Sequence, residues 1–75
     1  MTKQQLTETI KRNCKNSKKI IANIDETENA FVIYFTMGAT LSETLDTIKD
    51  VEQQGATILA RMGNAFIYIA KDTTN

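Results

Sequence analysis

The chain has 75 residues, of which 41% are apolar and 24% are charged, a composition typical of one soluble globular domain rather than a disordered chain. It contains no His and a single cysteine, Cys14, which excludes an intramolecular disulfide and a thiolate metal cage. The net charge is zero, but residues 1–19 carry six cations against one acid, or +5, so the remainder carries −5.

The first element is predicted to be a helix from Thr2, a hydroxyl N-cap, to Asn16 or Ser17. Apolar residues recur within it at a spacing of four, at Leu6, Ile10 and Cys14. This spacing places them on one stripe that faces the core, and we expect Cys14 to be a buried apolar residue rather than a reactive thiol.

A β-hairpin is predicted next, with strands at about Lys19 to Ile24 and Asn29 to Met37 on either side of an acidic turn. In the second strand, one face carries Phe31, Ile33, Phe35 and Met37, and the other carries Ala30, Val32, Tyr34 and Thr36. Because both faces are largely apolar, we expect a central strand, or one whose second face meets another subunit.

The second helix is predicted to be capped by Thr40 or Ser42; with Thr40 as the cap, Glu43 lies three residues later and completes a capping box. Its apolar stripe is predicted to be Leu41, Leu45 and Ile48, followed by Val51 or Glu52, and Gly55 is expected to end it. A second hairpin follows, with strands at about residues 56–62 and 65–71 and a tight turn at Gly63 and Asn64.

Two pairs of similar segments lie 35 positions apart: NAFVIYF at residue 29 with NAFIYIA at residue 64, and LTETI at residue 6 with LSETL at residue 41. They predict an internally duplicated αββαββ domain spanning residues 1–75, with repeats at about 2–37 and 38–72. We expect an α+β fold with a four-stranded sheet and two helices on one face. This would be a pseudo-two-fold plait, related by circular permutation to the ferredoxin-like arrangement, with a right-handed crossover between its second and third strands.

Catalysis is not expected, because the carboxylates lie in a turn and on a helix face, spaced like solvated charges. The glycines form no phosphate-binding motif, and no cofactor or metal is expected. We also expect neither a signal peptide nor a membrane span in MTKQQLTETI, and a cytoplasmic location.

A small protein-binding module or regulator is the function that the chain favours, because it is short, poor in catalytic groups and rich in apolar strand residues. Such compact accessory proteins are common products of phages and other mobile elements. We expect a homodimer, formed through the open sheet face or an edge strand, and a larger protein partner. The candidate partner-binding residues are Tyr34, Arg61, Phe66 and Tyr68. The strand register decides whether Tyr34 or Phe35, and Phe66 or Tyr68, lies on the open face.

Nucleic-acid binding is the alternative, because basic residues cluster after the middle of the first helix, at Lys11, Arg12, Lys15, Lys18 and Lys19. These residues would contact phosphates, and Tyr34 or Tyr68 on an open sheet would stack on bases. Cations near a helix C-terminus are also favoured by the helix dipole without any partner.

The segment IKDVEQQGATILARMGNAFIYIA, residues 48–70, faintly resembles part of the subtilisin propeptide and protease-inhibitor family. Members of that family chaperone or block a serine protease. The resemblance covers only about a third of the chain, and the elements on either side of it do not match, so it assigns no family.

Overall fold

The computed structural model describes residues 2–13 and 19–71, which form two helices and four strands in the predicted order. The elements are α1 (Lys3–Asn13), β1 (Ile21–Glu26), β2 (Ala30–Phe35), α2 (Leu41–Gln53), β3 (Ile58–Met62) and β4 (Phe66–Ala70). All neighbouring strands are antiparallel, in the order β1-β2-β4-β3. The α+β class and the central position of β2 are therefore confirmed, and β2 runs parallel to β3 with β4 between them.

Both helices begin at a threonine with reciprocal capping bonds. At α1, Gln5 N donates to Thr2 Oγ1 at 3.1 Å and Thr2 N donates to Gln5 Oε1 at 2.7 Å. At α2, Glu43 N donates to Thr40 Oγ1 at 3.1 Å and Thr40 N donates to Glu43 Oε1 at 2.9 Å. Each pair satisfies N–H groups that the first helical turn leaves unpaired. The predicted end of α1 and the predicted burial of Cys14 lie outside the described residues.

One hydrophobic core lies between the helices and one face of the sheet. The alternating residues Phe31, Ile33 and Phe35 of β2 share this face with Ile67 and Ile69 of β4, and all five are buried. They form one cluster with Leu6 and Ile10 from α1 and Val51 from α2. Because both helices contribute to the same cluster, they cover the same face and leave the other face of the sheet open.

The prediction that the second strand extends to Met37, on the same face as Phe31, Ile33 and Phe35, is wrong. Strand β2 ends at Phe35, and the chain turns at Met37 and Gly38, where the Met37 side chain is fully exposed. β1 also begins and ends two residues later than predicted, β3 begins two residues later and ends at Met62 as predicted, and β4 is one residue shorter at each end. Strand ends depend on which backbone groups find a neighbour, and local composition does not determine this.

The predicted apolar stripe of α2 is confirmed at Ile48, which packs against the core, and at Val51, which is buried. It is wrong at Leu41 and Leu45, which are exposed, and Thr44 and Thr47 are buried in their place. Thr44 Oγ1 donates to the Leu41 carbonyl at 2.8 Å, and Thr47 Oγ1 donates to the Glu43 carbonyl at 3.1 Å. Each hydroxyl is thus satisfied by its own helix, so the burial of these threonines does not leave a donor unpaired.

The 35-residue repeat does not place equivalent residues in equivalent environments. Residues directly opposite in β2 and β4 share a face, and these pairs include Phe31 with Ile69 and Tyr34 with Phe66. Phe31 therefore faces the helices, whereas Phe66, its counterpart in the repeat, faces away from them. The register of β2 with β4 decides this, because it pairs Phe31 with Ile69 and leaves Phe66 opposite Tyr34. The duplication and the pseudo-two-fold plait stay predictions.

The β3–β4 hairpin turns at Gly63 and Asn64, where predicted, but the turn also includes Ala65 and is one residue longer than predicted, because Met62 pairs with Phe66. The Ala65 amide donates to the Met62 carbonyl at 2.9 Å, and Gly63 has a φ of +54°, which a residue with a side chain adopts rarely. Asn64 Nδ2 also donates to the Ala39 carbonyl at 2.8 Å. This bond ties the hairpin turn to the loop that enters α2, 25 residues earlier in the chain.

Candidate functional site

The face of the sheet opposite the helices is the candidate functional site, and we call it the aromatic face. The strand registers place ten residues on it: Asn23 and Asp25 from β1, Ala30, Val32 and Tyr34 from β2, Ala60 and Met62 from β3, and Phe66, Tyr68 and Ala70 from β4. No described element covers this face.

Three rings form a continuous row at its centre. The ring centroids of Tyr34 and Phe66 lie 5.7 Å apart, and those of Phe66 and Tyr68 lie 5.6 Å apart, with interplanar angles of 55° and 46°. These tilted arrangements are favourable for aromatic pairs and restrict the freedom of each ring. Both tyrosines are 37% exposed. The row is therefore partly ordered before any partner arrives, yet it still offers apolar surface and two hydroxyl groups.

The aromatic face carries little charge. Asp25 is its one charged side chain, at the β1 side, and Asn23 is polar at the same edge. The centre and the β3 side contain only apolar and tyrosine side chains. Such a surface, apolar in the middle and polar at one rim, has the character of a protein-binding patch.

Three of the four predicted partner-binding residues, Tyr34, Phe66 and Tyr68, come together on this face, and Arg61 does not. Arg61 lies directly opposite Ile67, a core residue on the helix side of the sheet. Its Nε donates to the Gly63 carbonyl of the adjacent turn at 3.2 Å. Arg61 therefore lies on the other side of β3 from the aromatic row, so it is not part of the same surface.

Met62 belongs to the aromatic face, and the sequence interpretation missed it. It lies directly opposite Phe66 and is 59% exposed. A two-residue turn at Gly63 and Asn64 would pair Met62 with Ala65 and place Met62 on the face away from Phe66. The turn includes Ala65 as well, and this extra residue brings Met62 opposite Phe66.

The basic cluster is only partly within the described residues. Lys11 and Arg12 lie in the last turn of α1 and are exposed, Lys19 is exposed before β1, and Lys15 and Lys18 lie outside the described residues. A shallow apolar groove of about 160 Å³ runs beside this helix end, lined by Thr7, Ile10, Lys11, Ile21 and Ile24. It is smaller than the roughly 300 Å³ at which small-molecule sites begin.

Among the acids, Glu43 has a perturbed environment with a structural cause. The Thr40 amide and then the Thr40 hydroxyl donate hydrogen bonds to its carboxylate, and these bonds lower the pKa of Glu43 below 4.5. This carboxylate is thereby engaged in starting α2. Within residues 2–13 and 19–71, no group of three or more acidic or cysteine side chains is arranged to hold a metal ion.

Comparisons with known proteins assign no relative: no family model, no curated protein and no solved structure matches this chain. In the described part of the chain, neither helix has the length and apolar character needed to cross a membrane. The geometry of the aromatic face is therefore the basis for a functional proposal.

Proposed function

We propose that this chain is a small non-enzymatic protein-binding module or regulator, which acts in the cytoplasm by docking its aromatic face on a larger protein partner. The observation that carries the proposal is the row of three contacting rings on an uncovered sheet face. We further propose that the module forms a homodimer, as suits a chain of 75 residues with a small core.

Tyrosine-rich surfaces bind proteins well for a physical reason. A Tyr side chain offers a large contact area but has only two rotatable side-chain bonds, so ordering it on binding costs little entropy. Contacts of Phe66 with both tyrosine rings reduce that cost further. The hydroxyls of Tyr34 and Tyr68 remain able to bond at the margin of an interface while the rings are buried.

Electrostatics favours a protein partner over a nucleic acid at this face. A polynucleotide needs cations beside its phosphates, and the aromatic face holds one charged side chain, the carboxylate of Asp25. Base stacking on Tyr34 or Tyr68 would therefore lack the phosphate contacts that usually accompany it.

Selection from a displayed peptide library tests the proposal directly. We expect the immobilised protein to enrich peptides with apolar anchors, and we expect Tyr68→Ser to abolish their binding. Leu45→Ser is the matched control, because Leu45 is 38% exposed on α2 and Tyr68 is 37% exposed on the sheet. Circular dichroism of both variants checks that they remain folded.

Enriched peptides that bind Tyr68→Ser and Tyr34→Ser as tightly as the parent protein would remove the aromatic face from consideration. Peptides lost equally with Leu45→Ser would show that the effect is not specific to that face. Either result would contradict the proposal.

Nucleic-acid binding is the second candidate, and the observation that favours it is the exposure of Lys11 and Arg12 side by side at the end of α1. Its test is the fluorescence anisotropy of labelled duplex DNA and single-stranded RNA at low and physiological salt. Binding that weakens steeply with salt and disappears when Lys11, Arg12 and Lys15 are all changed to Glu would support it. Under the protein-binding proposal, both titrations are flat.

A further inference from the structure

The outer edge of β3 is the second unpartnered feature of the fold. The strand order β1-β2-β4-β3 gives β1 and β3 one neighbour each within the described sheet. Their outward N–H and C=O groups are therefore available to pair with a strand of another chain. Both edges contain a register shift, between Ile21 and Asn23 in β1 and between Ile58 and Ala60 in β3, so this irregularity does not distinguish them.

Charge distinguishes the two edges. β1 ends in Asp25 and Glu26, with Glu28 in the turn that follows. Glu26 forms an ion pair with Lys71 at 2.7 Å, but Asp25 and Glu28 keep this end of the edge acidic, and charged side chains on an edge strand oppose pairing with another chain. β3 has the sequence ILARM, in which Arg61 is the one charged residue, and the Arg61 Nε bonds to the Gly63 carbonyl of its own turn. The β3 edge is thus the less protected of the two.

The side chains of β3 also leave apolar surface in water. Four of its five residues are exposed, and they include Leu59 at 55% and Met62 at 59%. A strand added beside β3 would cover part of this surface as well as pair its backbone. Apolar exposure and unpaired backbone therefore occur on the same edge.

We propose that two copies of this chain pair antiparallel through β3, which joins their sheets into one eight-stranded sheet. This inference rests on the proposed function and identifies the interface of its homodimer, the seam at which β3 of one copy pairs with β3 of the other. Antiparallel pairing of identical strands follows from a two-fold axis normal to the sheet. Such an axis places both aromatic faces on the same side, where they form one composite binding surface.

The size of the aromatic face supports this arrangement. Four strands about 4.8 Å apart and five residues long, at about 3.3 Å per residue, span a projected area of roughly 320 Å². A stable specific interface buries about 800 Å² on each partner. One aromatic face is well short of that value, and two faces side by side approach it. Stacking the faces on one another would instead bury the surface that the partner needs.

Sedimentation equilibrium of the full chain over a wide range of concentrations tests the inference, together with hydrogen exchange of the backbone amides. We expect a monomer–dimer equilibrium in which the amides of Ile58–Met62 gain protection with concentration and those of Ile21–Glu26 do not. Leu59→Lys places a charge at the seam and is expected to give a monomer. Leu41→Lys makes the same change at an exposed position of α2 and is expected to leave the dimer intact.

A protein that is monomeric at every concentration would overturn the inference, and so would a dimer whose β3 amides remain unprotected. A dimer that is lost with Tyr68→Ser but survives Leu59→Lys would mean that the aromatic faces stack on one another. If Leu59→Lys does not fold, the exchange pattern of the parent protein decides alone. A monomer that still selects peptides through Tyr68 would refute only the seam, whereas a β3-paired dimer that selects none would refute the proposed function.

Discussion

Phe31 and Phe66 occupy equivalent positions in the sequence repeat but lie on opposite faces of the sheet. Replacing either one by alanine removes the same atoms. Phe31 is fully buried between the sheet and the helices, and Phe66 lies on the aromatic face between two tyrosines. Loss of a fully buried Phe costs about 3–5 kcal/mol, as transfer free energy plus the cavity left behind. Loss of Phe66 costs its partial burial and two ring contacts of about 0.5–1.5 kcal/mol each, which together amount to roughly 2–3 kcal/mol.

These losses have different consequences for a domain of this size. Seventy-five residues at about 0.05–0.15 kcal/mol each give a free energy of unfolding of roughly 4–11 kcal/mol. For a free energy of unfolding in the middle of that range, Phe31→Ala removes about half and leaves the protein close to unfolding. Phe66→Ala leaves most of the stability in place.

Urea titration followed by far-ultraviolet circular dichroism measures the difference. With a denaturant slope of about 1 kcal/mol per molar, Phe31→Ala is expected to lower the midpoint by about 3–5 M, or to be unfolded without urea. Phe66→Ala is expected to lower it by about 2–3 M. Equal shifts of the urea midpoint for the two variants would refute the assignment of Phe31 and Phe66 to opposite faces. They would also refute the register of β2 with β4, on which that assignment depends.

Three further predictions concern α2. Thr40→Ala removes the N-cap hydroxyl and is expected to cost about 1 kcal/mol in urea titration, and a midpoint unchanged from the parent protein would contradict the capping role. The pKa of Glu43 is lowered in the folded state, so its carboxylate stabilises the fold fully above pH 4.5 and loses this effect as the pH falls through the lowered pKa. The melting temperature of Glu43→Gln should therefore approach that of the parent protein in acid. Thr44→Val leaves no buried group unpaired, because the Leu41 carbonyl keeps its helical partner, so we expect a change in stability within about 1 kcal/mol; a loss several times larger would show that the hydroxyl has another role.

The local features were predictable because neighbouring residues determine them. The Thr40–Glu43 capping box, the turn at Gly63 and Asn64 and the positive φ of Gly55 each depend on residues within a few positions. The alternation of Phe31, Ile33 and Phe35 likewise placed these three residues on one face of β2, but did not decide that this face is the core face. The class and order of elements followed from such signals. Boundaries shifted by two residues at β1, since the pairing partners that define a strand's ends lie elsewhere in the chain.

The binding surface was only half predictable. The sequence identified Tyr34, Phe66 and Tyr68 as candidates but left the register open, so Phe35 remained an alternative to Tyr34. Pairing of β2 with β4 resolved this choice by placing Tyr34 opposite Phe66. The same register separates Arg61 from the rings, because side chains on either side of a sheet cannot meet.

By itself, the sequence determined the α+β class, the starts of both helices and the tight turn of the second hairpin, because short-range periodicity and capping chemistry encode these. The tertiary structure alone decided the strand order, the uncovered face and the burial of Thr44 and Thr47 in place of Leu41 and Leu45. Those outcomes depend on how a helix rotates against a sheet and on which strands become neighbours. Contacts between residues far apart in the chain fix both, and no local pattern records them.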